Sequence, residues 1–257
     1  MQKRYSMQKV VFITGASSGF GKACAEKFAC HGYDLIINGR REDRLFELKE
    51  QLEKKFNTAI LISAFDVRNK KEVFEAAKNI PGEWQQIDVL INNAGLALGR
   101  DYFDDADLDD WDTMIDTNVK GLIYTTKALL PLIKKSPSPH IINLGSVARE
   151  IYEKGNVYCA TKGAVDILSQ SMRVDLLRHG IKVTAIHPGA AETEFSLVRF
   201  KGDEATAKKI YDGLIPLTPE DVADVIFYCT TLPPHVCIND LVLTCTQQAN
   251  AIYFYRK

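Results

Sequence analysis

Seven short runs rich in β-branched residues, each separated from the next by a longer stretch of helical composition, leave this chain few folds to choose from. The runs are KVVFIT, YDLIIN, AILISAFD, IDVLIN, HIINLGS, KVTAIHP and DLVLTC. Such alternation is the signature of βαβ units around a parallel sheet covered on both faces. The expected fold is therefore α/β, a doubly wound parallel sheet of about seven strands. Two of the helical stretches are long, from about Asp109 to Lys135 and from Asn156 to His179. In an open sheet of this kind ligands gather at the carboxyl ends of the strands, which is where chemistry should be sought.

With 257 residues and 46% hydrophobic content, the chain can bury one large core, and a single domain over 1–257 is expected. Lys and Arg total 32 against 33 Asp and Glu, and no sustained basic stretch suggests nucleic acid or an acidic membrane. A small-molecule partner is the better default. The opening MQKRYSMQKVVFITG reaches only a short apolar run before a glycine loop, too short for a signal peptide. No window approaches the ~20 apolar residues of a membrane span. Six cysteines form no C-x-x-C pair and no Cys/His ligand spacing, which argues against zinc and against a disulfide framework and fits the cytoplasm. The acidic stretch Asp101 to Asp112 lacks the ligand spacing of a calcium loop, so no metal is expected.

TGASSGFG, Thr14 to Gly21, follows the first run and opens the first helix, with glycines at 15, 19 and 21. Glycine permits positive φ and close backbone approach, and the free N–H groups and dipole of a helix start favour a pyrophosphate. The strand-before, helix-after context makes this a nucleotide loop of Rossmann type. A dinucleotide fold using NAD usually places an acid after its second strand, for the ribose 2′-OH, whereas a basic residue there suits the 2′-phosphate of NADP. Here the chain reads NGRRED: the acidic place is empty, and Arg40 and Arg41 follow. A guanidinium binds phosphate as an always-charged fork, so NADP is expected. Asp66 could accept from an adenine amino group, or could cap the helix starting near Asn69.

Further motifs follow in order: NNAG at 92–95, Asn118 in TNVKG, Ser146 ending LGS, Tyr158 and Lys162 as Y-x-x-x-K, and HPG at 187–189. Each alone is modest. The ordered set, spanning nearly the whole chain, resembles the short-chain dehydrogenase/reductase family. The stretches NNAGLALG, WDTMIDTNVKGL, GNVYCATKGAV and TEFSLVRFKGD are similar to its NADP-dependent 3-hydroxy acid dehydrogenases, which act on serine, allo-threonine and 3-hydroxypropionate-type acids.

The resemblance implies a catalytic quartet. Tyr158 would transfer the proton, Ser146 would hold the substrate oxygen, Lys162 would bond the nicotinamide ribose, and Asn118 would support a proton-relay water. It also implies cofactor contacts from Gly15, Ser17, Ser18, Gly19, Phe20, Gly21, Asp66, Val67, Asn93, Ala94, Gly95, Pro188 and Gly189, and a homotetramer or homodimer. In the oxidising direction phenolate Tyr158 would take the hydroxyl proton as hydride leaves for nicotinamide. Lowering a phenol by about three units requires about 4 kcal/mol of preference for the phenolate. A unit charge ~4 Å away at an effective dielectric of ~20 supplies about that much, against a desolvation cost. Lys162, one turn away on the same helix face, is expected to provide it, with the positive nicotinamide adding the remainder.

A hydroxy acid also needs a cation for its carboxylate. Arg149, Arg199 and Lys201 are available, and Arg199 is preferred because it lies in the subgroup-like segment. Residues 190–218, the least regular part of the chain, read as a substrate lid. The competing readings are a reductase of other ketones or 3-oxoacyl thioesters, and a protein that senses NADP(H) without turnover.

Overall fold

The computed structural model describes residues 8–257; the reading of the first seven residues, within the supposed absence of a signal peptide, lies outside them. The seven expected runs form one sheet: β1 (Val10–Ile13), β2 (Asp34–Gly39), β3 (Ile60–Ala64), β4 (Val89–Asn92), β5 (His140–Leu144), β6 (Lys182–Pro188) and β7 (Asp240–Leu243). Their spatial order is β3-β2-β1-β4-β5-β6-β7, and every pairing is parallel. Each pairing therefore needs a crossover, and nine α-helices supply the layers among the described residues: α1 (Gly19–Cys30), α2 (Glu42–Lys55), α3 (Lys70–Lys78), α4 (Leu108–Ile115), α5 (Leu122–Ile133), α6 (Asn156–Leu176), α7 (Glu194–Arg199), α8 (Glu204–Lys209) and α9 (Pro219–Thr231).

Two cores follow from the period of two along each strand. Val11, Ile13, Leu35, Ile37, Val89 and Ile91 pack against α1, α2 and α9 through Phe28, Leu48 and Ile226. Val10, Phe12, Ile36 and Leu90 face the other way, against Val73 of α3 and Leu129 and Ile133 of α5. Side chains of this kind contribute about 1.5–3 kcal/mol each when fully buried. Because β1 lies between β2 and β4, the strand order reverses there, and a crevice opens at the carboxyl ends of these strands.

Three expectations are refined. The stretch from Asp109 to Lys135 is not one uniform α-helix, because a π-helical turn, Asp116–Gly121, separates α4 from α5. Gly121, which ends this turn, packs so closely on Val67 that a Cβ there would lie 2.8 Å from Val67 Cγ2. Asp66 is not a helix cap: Asn69 caps α3, accepting from Lys71 N and Glu72 N. Residues 190–218 are more ordered than their composition suggests, since Thr193 and Asp203 cap the short helices α7 and α8.

Candidate active site

The crevice is a cavity of about 820 Å³. Of the residues expected at the site, all but Gly21 and Asn118 line it. Gly21 lies directly behind the glycine loop, where a Cβ would fall 2.2 Å from Gly15 O, and Gly15 itself has φ +65°. The loop is pinned from β4: Asn93 Nδ2 donates to Thr14 O at 2.8 Å and to Gly15 O at 3.1 Å. Ser18, the N-cap of α1, makes no side-chain cap bond to the helix. The first-turn amides are thus left to the cavity side, the arrangement that favours an anion.

At the end of β2, Arg41 Nη2 donates to Ser17 Oγ and Ser18 Oγ at 3.1 and 3.0 Å. Arg40 is more exposed and lies 4.0 Å from Asp66. The Asp66 carboxylate accepts from Arg68, which holds it below the usual carboxylate range against the effect of its partial burial. A cation pair and a carboxylate therefore converge beside the glycine loop.

Ser146 leaves β5 extended and its Oγ accepts from Ala148 N at 3.0 Å. Tyr158 and Lys162 lie one turn apart on α6 and are both buried. The nearby Ser146 hydroxyl acts to lower the Tyr158 phenol, yet burial pushes that phenol well above its ordinary range. Lys162 Nζ donates to Leu144 O at 2.9 Å, and burial lowers it to about 8. The groups acting most on the phenol after burial are Tyr152, Ser146, Arg199 and Cys159; Lys162, expected to be its chief cation, is not among them. Asn118 sits in the π turn behind Gly95. Its Oδ1 accepts from Leu96 N, and its Nδ2 donates to Leu96 O and to Thr161 Oγ1 at 2.8 and 3.1 Å.

The short chain dehydrogenase family model matches residues 9–203. This chain belongs to that family. Among relatives of this short chain dehydrogenase, the NADP-dependent 3-hydroxy acid dehydrogenase YdfG of Escherichia coli is 45% identical over 244 residues, covering 94% of this chain and 97% of the relative. Sulfoacetaldehyde reductase 2 of Chromohalobacter salexigens is 47% identical over 247 residues, covering 95% and 96%. The closed form of a serine dehydrogenase complexed with NADP+ superposes with a TM-score of 0.90 at 44% identity, covering 96% of this chain and 100% of that one.

On the far side of Tyr158, this short chain dehydrogenase sorts its three cations cleanly. Arg149 is bound into a cluster outside the cavity lining, its Nη1 lying 3.1 Å from Asp166, 2.8 Å from Asp240 and 3.1 Å from His187 Nε2. Lys201 pairs with Asp110 at 2.8 Å, and it too lies outside the lining. Arg199 is in the cavity: its Nη2 donates to Tyr152 Oη at 2.9 Å and its Nε to Gly99 O at 3.3 Å.

Four residues of this region escape a reading of the sequence. Tyr152 and Gln248 line the cavity, Gln248 Oε1 accepting from Ala190 N at 2.7 Å. Glu194 at the start of α7 pairs with Arg41 at 3.1 Å and with Arg44 at 2.8 Å. Tyr152, Gln248 and Arg44 belong to no spaced motif, Glu194 lies in TEFSLVRFKGD with no role to mark it there, and contacts that cross about 150 residues leave no local pattern to find.

Proposed function

We propose that this protein is an NADP-dependent oxidoreductase that interconverts the hydroxyl and carbonyl forms of a short 3-hydroxy acid. The observation that carries the reading is Arg199, a cavity-lining guanidinium beside the Tyr158 and Ser146 pair. A guanidinium presents five donors, and Tyr152 and Gly99 engage only part of that set, so N–H groups remain for a carboxylate.

The residues present fit the cofactor. Gly15 and Gly21 form a cradle that a Cβ would fill, the start of α1 offers backbone donors, and Arg40 and Arg41 suit a 2′-phosphate. The buried amine of Lys162 would bond ribose hydroxyls, and Phe20, Val67, Ala94, Pro188 and Gly189 would line the path. NADP, when bound, supplies the hydride acceptor or donor. Tyr158 then takes the proton from the substrate hydroxyl, or returns it in reverse, while the Ser146 hydroxyl holds the substrate oxygen. Asn118 has its side chain fully engaged with Leu96 and Thr161, so in this reading it supports a relay water through its backbone. Residues 190–218 act as the lid, because α7 carries both Arg199 and Glu194 over the cavity.

Arg199 would hold a sulfonate by the same chemistry, and the relative named as a sulfoacetaldehyde reductase favours that substrate as a second reading. Exposed Ile123, Ile167, Val174 and Leu177 on α5, α6 and the turn after α6 support assembly into a homodimer or homotetramer. Six free cysteines support residence in the cytoplasm.

The deciding experiment is a panel of L- and D-serine, allo-threonine, 3-hydroxypropionate, 3-hydroxyisobutyrate and plain secondary alcohols with NADP+ and NAD+, together with sulfoacetaldehyde and NADPH. Hydroxy acids with NADP+ are expected to be turned over best. Arg199→Met should raise KM for acids about 10- to 100-fold, the loss of a charge-assisted contact. Activity confined to plain alcohols, or an unchanged KM, would overturn the reading; preference for sulfoacetaldehyde would replace the carboxylate by a sulfonate.

A further inference from the structure

Tyr158 is surrounded from several elements, and the charges around it can be read one by one. On α6 itself are Cys159 and Lys162, and from the end of β5 comes Ser146. From the loop before α6 comes Tyr152, with Arg100 over the Tyr152 ring at 5.8 Å. From α7 come Phe195, its ring centroid 5.7 Å away, and Arg199. Arg199 Cζ lies 5.4 Å from the centroid of the Tyr158 ring and 5.7 Å from that of Tyr152. One guanidinium is thus shared between two tyrosine rings, and a hydrogen bond to the Tyr152 hydroxyl and another to Gly99 O hold it there.

A cation over an aromatic face is attracted by the ring's electron density. Deprotonation of a phenol adds a full negative charge to that ring, so the same cation prefers the phenolate. Lys162 Nζ donates to Leu144 O, and the cation seated over the Tyr158 ring itself is Arg199. Burial strongly disfavours the phenolate, and among the nearby groups Arg199 opposes it. We propose that Arg199 has a second role in the proposed reaction: from its seat between the two tyrosines it favours the phenolate of Tyr158 and so helps that residue act as a base. The inference rests on the reading of Tyr158 as the proton-transfer group and of Arg199 as the anchor of the substrate anion.

This assignment joins two events on one side chain. An acid substrate arriving at Arg199 sets a negative charge against the guanidinium and weakens its hold on the phenolate. The base is therefore strengthened as the substrate docks: the phenolate formed in the cofactor complex is met by a carboxylate that raises its affinity for the hydroxyl proton. The step balances simply, with one proton passing from the substrate hydroxyl to the Tyr158 oxygen.

The test is a spectroscopic titration of the NADP+ complex, reading tyrosinate absorbance in the parent protein and in Arg199→Met, each with its Tyr158→Phe counterpart subtracted. The midpoint assigned to Tyr158 should move up by about one pH unit in Arg199→Met, an effect of the size expected for a partly screened charge at this distance. The acid limb of kcat/KM for the best substrate should follow it, and Arg199→Lys should recover part of the shift. An unmoved midpoint in Arg199→Met, in protein whose circular dichroism matches the parent, would overturn the inference. The two readings separate: a raised KM for acids with an unmoved midpoint keeps the substrate anchor alone, whereas a moved midpoint with an unchanged KM keeps only the role toward Tyr158.

Discussion

Arg41 faces three partners with one guanidinium, donating from Nη2 to Ser17 and Ser18 while Nη1 pairs with Glu194. The seryl contacts place the charge beside the glycine loop, where the 2′-phosphate is proposed to lie. Arg41→Ala should therefore raise KM for NADP+ about 10- to 100-fold and leave KM for NAD+ nearly unchanged, which initial rates with both cofactors will show. At this scale the sequence was most informative where chemistry needs fixed local spacing. Tyr158 and Lys162 are one helical turn apart, and Gly15, Gly19 and Gly21 lie on one tight loop, so their juxtaposition survives in linear order. Tyr152, Gln248, Glu194 and Arg44 reach the region only through tertiary packing. Arg199 over the Tyr158 ring went unread for the same reason, since it is near in space and forty-one residues away in sequence.

The helix that carries Tyr158, α6, is fixed to the sheet by a buried polar chain as well as by apolar contacts. Asn92 Nδ2 donates to Asn143 Oδ1 at 2.8 Å, and Asn143 Nδ2 donates to Ser169 Oγ at 2.9 Å, linking β4, β5 and α6. Both asparagines are buried, so removing the central one strands its neighbours away from water. Asn143→Ala should cost about 1–3 kcal/mol in denaturant unfolding. It should also lower kcat while leaving NADP+ binding nearly intact, because the glycine loop is held by Asn93 and not by this chain of amides. Strand and helix identities were legible because each strand is a short run rich in β-branched and other apolar residues, set between longer stretches of helical composition. The π turn at Asp116–Gly121 was not, because nothing in the local sequence marks it, and Gly121 packs against Val67, some fifty residues away.

Across the whole molecule, the short helix α7 is tied down at both ends. Glu194 at its start is clasped by Arg41 and Arg44, and at its finish Arg199 accepts from Gly99 N at 3.0 Å through its backbone while its side chain donates to Gly99 O. The far tie is a neighbouring loop, whereas the near tie is made of charges that remain about two-fifths exposed. Half-exposed ion pairs are weakened by salt, with screening over about 10 Å at 0.1 M. With α7 as the proposed lid over the cofactor, the departure of spent cofactor should accordingly speed up with ionic strength. If that departure limits the cycle, added salt will raise kcat even as it weakens NADP+ affinity, and Glu194→Gln will be fast at every salt concentration. Stopped-flow release of NADPH against salt checks this, and a parent and Glu194→Gln pair with the same slope would refute it. The clasp would then act as a brake on turnover, set by the ionic composition of the medium.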